Sequence, residues 1–551
     1  MQKILFFFTI IFYILSSSAQ VLTPSFVKDV DSIFSEFNQN TPGAAIGIVK
    51  NDSIISSKGY GMASLEHMVP ITSETVFNVG SLSKQFTGMG IALLVRQGKV
   101  NLDENIRTYL PWLGNYPEKI TIRHLLHHTS GIRDHLIMSL LGGVPGNGLL
   151  TQDIAVKYIK NYDALNFSPG ETFSYSNSNY VLLAEIIKIT SGKAFNRFMD
   201  SAIFQPLGMT KTFFAEPNQL ITAGASSYNK NGNVFFPVMM NVFTVGDGGL
   251  YSTITDMTKW SINFFKYTIG DANIIRQLTA SSSLNNGKKN VYGMGIGTID
   301  DKGYKLYSHA GSIAGFRSTI SILPDMDFAV VVLSNHSSGR AGLKAKQVID
   351  LYLKGNSKAE AINPRNNFDK AIMKDTLLAK KISGNYLAEN GTKFSFNYSK
   401  GNLMFQNSQP LVEISPKEMS LASDTSVTFS VNITGKDTVI HHYAYGSNYL
   451  LRKYKVDSVL SNDQQKAYVG IYYSKELDET LTISLSEKGL VLSNFLHGEV
   501  NLQPRTKDDL FFQNGVSHMK ILRNTNQEIY GFMFSNSSLT KLNFIKISID
   551  P

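Results

Sequence analysis

The stretch Phe77-Asn78-Val79-Gly80-Ser81-Leu82-Ser83-Lys84-Gln85-Phe86 joins a glycine-ended loop to a segment of helical periodicity. From Ser81 to Gln97 the apolar residues, among them Phe86, Met89, Ile91, Leu93 and Leu94, predict a buried helix, and Gly98 stands where such a helix ends. Ser81 and Lys84, three apart, share one face of that helix. At a helix start the serine oxygen lies beside unpaired backbone N–H groups and the positive end of the dipole. A lysine withdrawn from water there loses its proton more readily and can accept one from the serine. The same S-x-x-K spacing begins at Ser25, Ser227, Ser517 and Ser538, so spacing alone selects nothing. Ser81 differs in following the glycine-ended loop and opening the apolar helix.

Two further segments carry chemistry-bearing residues. In Ser168-Pro169-Gly170-Glu171-Thr172-Phe173-Ser174-Tyr175-Ser176-Asn177 the Pro-Gly pair favours a turn, and a helix pattern begins at Asn179 or Tyr180. Tyr175 and Asn177 can then point into one cleft, where a phenol beside an ammonium ion can share its proton and serve a leaving group. His309-Ala310-Gly311-Ser312 follows a strand pattern over Tyr304 to Ser308. The small residue and the glycine let a substrate lie against the strand edge, and the Ser312 N–H can face a developing oxyanion. Taken singly, a tyrosine under a loop or a histidine on a strand is ordinarily structural.

Around these segments the chain divides. Ala44 to Lys50, a turn at Asn51-Asp52, and Ser53 to Ala63 read as a β-hairpin. Glu118 to Lys266 is mostly helical in pattern. Val291 to Ile299, Tyr304 to Ser308, Phe316 to Leu323 and Phe328 to Ser334 read as strands, and Ala341 to Leu353 as a closing helix. Strands at both ends with helices between predict one antiparallel sheet covered by helices, an α/β (α+β) domain over 20–354. A linker is expected over 355–380, its aperiodic part at Gly355 to Asn367. Beyond it, Ser383-Gly384-Asn385-Tyr386 and Val469-Gly470-Ile471-Tyr472 echo each other ahead of alternating strands. They predict an all-β C-terminal region of two repeats, 381–458 and 459–551, as two small barrels or one shared barrel.

In this order, S-x-x-K, Y-x-N and H-x-G resemble the active-site signature of the penicillin-recognising serine hydrolases. Within that group the chain is similar to the branch of class C β-lactamases, D-alanyl-D-alanine carboxypeptidases, D-aminopeptidases and related esterases. Flanking segments agree: Gly98-Lys99-Val100-Asn101-Leu102-Asp103, His128-Thr129-Ser130-Gly131, Pro169-Gly170-Glu171 and Gly248-Gly249-Leu250-Tyr251-Ser252. The resemblance covers Phe34 to Leu353 and implies a serine β-lactamase-like catalytic domain; relatives also carry lipocalin-like β-barrel appendages.

By that resemblance Ser81 is the nucleophile, Lys84 its proton partner and Tyr175 the general acid/base. Asn177 orients Lys84 and the substrate amide, Gly311 and Ser312 line the substrate, and the backbone N–H groups of Ser81 and Ser312 form the oxyanion hole. His309 stands where class C β-lactamases usually carry lysine, with an electrostatic or carboxylate-binding role. This departure favours a D-amino-acid peptidase, carboxypeptidase or esterase acting on a small-molecule or peptide substrate, including cell-wall peptide, over an efficient β-lactamase. The alternative is a non-catalytic envelope protein holding peptidoglycan or a partner in the same cleft.

Composition bounds the rest. With 551 residues, 43% hydrophobic and 17% charged, the chain can bury large cores. A net charge of +9 without a Lys/Arg run does not suit nucleic-acid binding. The absence of cysteine excludes disulfides, a thiol nucleophile and Cys-ligated zinc. Lys3, the apolar run Ile4 to Leu15 and Ser16-Ser17-Ser18-Ala19 predict a secretory signal cut after Ala19, hence a periplasmic or extracellular protein without a stable membrane span. His124, His127 and His128 have helical spacing but lack a carboxylate pattern, so no metal is expected, and no cofactor. Gly246-Asp247-Gly248-Gly249 reads as a tight turn lining the cleft, and Glu171 as a turn residue.

Overall fold

The hairpin expected near the N-terminus opens the central sheet. Ala44–Lys50 and Ser53–Tyr60 pair antiparallel, and Asn51 and Asp52 both take positive φ, 47° and 62°, as a primed two-residue turn requires. Along its other edge Ala44–Lys50 pairs with Phe328–Ser334, Ala44 opposite Ser334 and Lys50 opposite Phe328. The result is a six-stranded antiparallel sheet in the order Gly297–Asp301, Tyr304–Ile313, Phe316–Leu323, Phe328–Ser334, Ala44–Lys50, Ser53–Tyr60. Both ends of the domain thus meet in one sheet. This computed structural model describes residues 24–547, except 355–374 and the short stretches 115, 162–163, 302, 400, 423, 435–436, 445–446, 455–459, 488, 495–497, 513–516 and 537. The expected signal (1–19) and most of the expected linker lie outside the described residues.

Side chains alternate across the sheet and feed two cores. Ala45, Val49, Ala329, Val331 and Leu333 face the helical layer that contains Ser83–Arg96 and Ile254–Lys266. Ala44, Ile46, Ile48, Val330 and Val332 face the opposite layer, built by Pro24–Ile33 and Ala341–Leu353. Gly47 points into the first layer, where a Cβ would stand 2.2 Å from Thr258 Cγ2. Every residue from Ser83 to Leu94 is buried, so this helix is enclosed on all sides. Trp260 stacks on Phe86 at 4.4 Å and donates its indole N–H to Gln85 Oε1 at 3.0 Å.

Four local expectations are corrected. Gly80–Leu82 forms a 3-10 turn, and the α-helix begins at Ser83, two residues later than the pattern suggested. Gly80 takes φ 55°, and Ser83 Oγ donates back to its carbonyl at 2.6 Å. Residues 291–296 are not a strand: Gly295, at φ 91°, lets this segment turn over the helix Ser83–Arg96. A Cβ on Gly88 would lie 2.1 Å from Met294 O, and one on Gly295 2.4 Å from Lys84 O. The strand expected to stop at Ser308 continues to Ile313, so His309 to Ser312 lie within it. The helix expected from Asn179 begins at Asn177, whose N–H is held by the Asp134 carboxylate at 2.7 Å.

The C-terminal region is two closed eight-stranded barrels, from Gly384–Ala388 to Ser447–Tyr454 and from Gly470–Ser474 to Leu539–Ile547. The sequence echo marks a repeated plug. A short helix precedes each barrel, Thr376–Ile382 and Asn462–Tyr468. The tyrosine of the echo donates to a carbonyl four residues back, Tyr386 to Ile382 at 2.9 Å and Tyr472 to Tyr468 at 2.6 Å. Lys453 and Lys546 from the respective last strands lie over those rings. Because Thr376–Ile382 packs into the first barrel's core, the last residues expected as linker belong to the barrel. Aromatic side chains fill both interiors: Phe396, Phe405 and Phe429 in one, Phe532, Phe534 and Phe544 in the other.

Gly47→Val tests the sheet–helix packing. The added side chain collides with Thr258, and the expected loss is about 1–3 kcal/mol, read as a lower denaturant midpoint for the transition of the domain built on the six-stranded sheet. An unchanged midpoint would contradict the packing described.

Candidate active site

Lys84 is fully buried, and its Nζ has three oxygen partners: Ser81 Oγ at 3.2 Å, Asn177 Oδ1 at 2.8 Å and the Asp247 carbonyl at 2.7 Å. Removal from water pushes its pKa from 10.5 down to about 8, opposed by the negative charges of Asp247 and Asp134. Ser81 itself stays partly exposed at the helix start. The Tyr175 phenol lies beside Ser81, and its ring is 4.8 Å from Lys84 Nζ. Burial holds the Tyr175 phenol well above its ordinary pKa, so it keeps its proton at neutral pH. An amine that can lose its proton and a phenol that retains one therefore flank a single hydroxyl.

Each of these groups is fixed by something the local sequence does not announce. Asp134 Oδ2 accepts both the backbone N–H of Asn177, at 2.7 Å, and its side-chain Nδ2–H, at 2.8 Å, which leaves Asn177 Oδ1 facing Lys84. Asp134 Oδ1 meanwhile accepts the Leu136 N–H at 2.9 Å and caps the helix His135–Leu141. The turn at 246–249 supplies the Asp247 carbonyl, so it holds the lysine as well as lining the cleft. Gly246 is required there: at φ 91° its Cβ would stand 2.3 Å from Tyr180 O. The Tyr175 ring lies tilted against His128 at 4.3 Å, and His128, buried and held neutral by desolvation, accepts the Ser176 N–H at 3.2 Å. The three histidines set aside as metal ligands have structural work: His124 Nδ1 accepts the Thr121 N–H, and His127 Nδ1 donates to Tyr292 O.

The third motif lies across the cleft. A Cβ on Gly311 would be 2.1 Å from Val79 O, and one on Gly80 would be 2.9 Å from the Ser312 nitrogen. The glycine at 311 therefore admits the loop preceding Ser81, rather than only leaving room for a substrate, and the Ser312 amide is brought beside Gly80. His309 Nδ1–H donates to Ala310 O at 2.7 Å, so Nε2 accepts from the Tyr292 hydroxyl at 2.8 Å. Burial, with Lys84 nearby, lowers the His309 pKa to about 3, and the ring is neutral at pH 7. The neutral ring meets its neighbours, Ala310 and Tyr292, through hydrogen bonds. The structure thus gathers Ser81, Lys84, Tyr175, Asn177, His309, Gly311 and Ser312, and adds Asp134, Asp247, His128 and Tyr292. Of these four, Asp247 lies in the glycine turn and His128 in the flanking segment that the sequence already marks, Asp134 precedes an apolar helical segment, and Tyr292 has no signal.

The Lys84 environment has a pH signature. Neutral amine is the base-competent form, so the rate at which a fluorophosphonate labels Ser81 should rise with pH through a midpoint near 8. Lys84→Met should flatten that profile and slow labelling by about 10²–10⁴-fold. A midpoint above 10 would contradict the burial argument.

Set beside known proteins, residues 30–354 match the Beta-lactamase family model. The D-aminopeptidase of Gluconobacter oxydans is 29% identical over 300 residues, covering 54% of this chain and 56% of that protein. Protein flp of Staphylococcus aureus is 29% identical over 333 residues, covering 58% of this chain and 64% of that protein. The chain thus matches less than two thirds of the length of either relative. In fold it is similar to the octameric penicillin-binding protein homologue from Pyrococcus abyssi, with a TM-score of 0.53 and 24% identity, over 78% of this chain and 99% of that one. The matched region is the domain that carries Ser81, Lys84, Tyr175 and His309, and this chain belongs to the Beta-lactamase family.

Proposed function

We propose that this chain is an exported serine hydrolase of the peptidase or amidase type, cleaving an amide bond next to a D-amino acid through an acyl-enzyme at Ser81. The observation that carries the reading is the buried Lys84 amine held between Ser81 Oγ and Asn177 Oδ1. Neutral Lys84 takes the hydroxyl proton as Ser81 Oγ attacks the carbonyl carbon. The Ser81 and Ser312 amides stabilise the oxyanion. As the C–N bond breaks, Tyr175 gives its proton to the departing amine and is reprotonated from the Lys84 ammonium. Water then attacks the ester, its proton passes to the same pair, and Ser81 recovers its own.

Similarity to a D-aminopeptidase at 29% identity supports the substrate class. The neutral His309 supports a preference away from β-lactams, because nothing at this position offers a carboxylate the positive charge a lysine would. Export rests on the charged start, short apolar run and small residues of 1–19. Among the described residues no helix is long and apolar enough to cross a membrane.

A screen of D- and L-aminoacyl p-nitroanilides, D-Ala-D-Ala peptides, short esters and a chromogenic cephalosporin should give highest kcat/KM on a D-amino-acid amide or peptide and lowest on the cephalosporin. Ser81→Ala should lose activity by about 10⁴-fold or more. Full activity in Ser81→Ala, or cephalosporin as the best substrate, would sink the reading. N-terminal sequencing of the protein recovered from the periplasm or medium should begin at Gln20; a sequence beginning at Met1 would contradict export through a cleaved signal.

A further inference from the structure

The helix His135–Leu141 belongs to two cores at once. Its cap, Asp134, grips Asn177 in the active site. Met138 on the same helix is fully buried in the apolar core of the second barrel, and Ile137 and Leu141 pack against that core. Arg133, one residue before the cap, is itself buried, with only 2% of its side chain exposed. Its guanidinium pairs with Glu476, on the turn between the barrel's first two strands, and donates to the Thr540 carbonyl at 3.1 Å. A buried guanidinium deprived of its counter-charge is strongly destabilising, and here the counter-charge comes from the barrel.

The 133–135 backbone is tied as firmly to the catalytic side. Ser178 Oγ donates to Arg133 O at 2.6 Å and accepts the His135 N–H at 2.8 Å. Ser178 is the residue after Asn177, in the first turn of the same helix. A second anchor lies alongside: Asn166 donates its N–H to Gly131 O at 2.7 Å, and its side chain bonds to Thr540 N and Ser538 O of the barrel. From Glu476 to Ser81 each step is then a direct contact or a peptide neighbour: Glu476, Arg133, Asp134, Asn177, Lys84, Ser81.

We propose that the second barrel is a working part of the active site: Glu476, through Arg133, fixes Asp134, and Asp134 fixes Asn177 and the Lys84 amine. Glu476 is a positioning residue, and this inference rests on Lys84 being the base for Ser81. The charged and titratable groups that face Lys84 are Asp134, Asp247, His128 and His309, with the rings of Tyr175 and Tyr180. Of these, Asp134 alone sits beside Arg133. Removing the Glu476 charge takes the barrel's counter-charge away from Arg133 and leaves Asp134 less firmly placed. Both changes favour the neutral amine, so the pH limb moves down, while the poorly held amine is a weaker base.

The test follows fluorophosphonate labelling of the full-length protein against pH, with thermal unfolding measured in parallel. Glu476→Ala should lower the high-pH plateau about tenfold and move the midpoint down by about half a pH unit. Glu476→Gln, which keeps an acceptor for the guanidinium, should recover part of the plateau. Arg133→Ala combined with Glu476→Ala should be little slower than either alone. A Glu476→Ala profile matching wild type overturns the relay, and so does a uniform loss with an unmoved midpoint. If labelling vanishes in Ser81→Ala while Glu476→Ala is unchanged, the relay fails and the nucleophile stands; labelling that survives Ser81→Ala overturns both.

Discussion

An amine with no access to water, held by the oxygen of Ser81 one turn away and by those of Asn177 and Asp247 from distant segments, is the constraint on which this domain is built. Lys84 sits on a helix buried from Ser83 to Leu94, and its charge is opposed by desolvation and supported by two carboxylates, Asp134 and Asp247. Neither carboxylate touches Nζ directly; one acts through Asn177, and the other lends its carbonyl. A direct ion pair would hold the lysine charged. Placing the charges one step away leaves the amine poised near neutrality, which general-base chemistry needs.

That arrangement requires segments to approach more closely than side chains allow. Gly80 and Gly311 let the nucleophile loop meet the strand Tyr304–Ile313, Gly246 brings the Asp247 carbonyl over the helix, and Gly295 lets 293–296 fold across it. Both barrels then brace the walls of the cleft. The first bonds to the loop that leads to Tyr175, through Asn448 N–H to Thr172 Oγ1 at 2.9 Å and Ser447 Oγ to Phe173 O at 3.3 Å. The second holds the segment that carries Asp134. With their interiors filled by aromatic rings, the barrels contribute through their surfaces and loops.

What was legible in the sequence was local. The Asn51-Asp52 turn, the glycine stop at Gly98 and the closing helix Ala341–Leu353 follow from residue types and spacing, and the structure has each of them. The three motifs named the residues that meet in the cleft because each lies on a short segment with its own turn or periodicity. What failed depended on distant partners. Asn177 begins its helix because an aspartate 43 positions earlier holds its N–H. The alternation over 291–296 resembles a strand, yet Gly295 serves contact with the helix that carries Lys84 and Gly293 contact with the Leu278 carbonyl. Tyr292 acts through a hydroxyl whose target is set by the fold, so it does not stand out in the chain, and the sequence marks Asp247 as a turn residue without showing that its carbonyl holds the lysine. The charge state of His309 was equally hidden, since burial decides it.

The most direct test is to titrate Lys84 itself. With lysine 13C-labelled at Cε, the Lys84 resonance can be identified by its absence in Lys84→Arg and followed by NMR from pH 6 to pH 11. A transition near pH 8, separated from the bulk lysines, is expected. A Lys84 resonance that titrates with the others, near the ordinary value of 10.5, would contradict it.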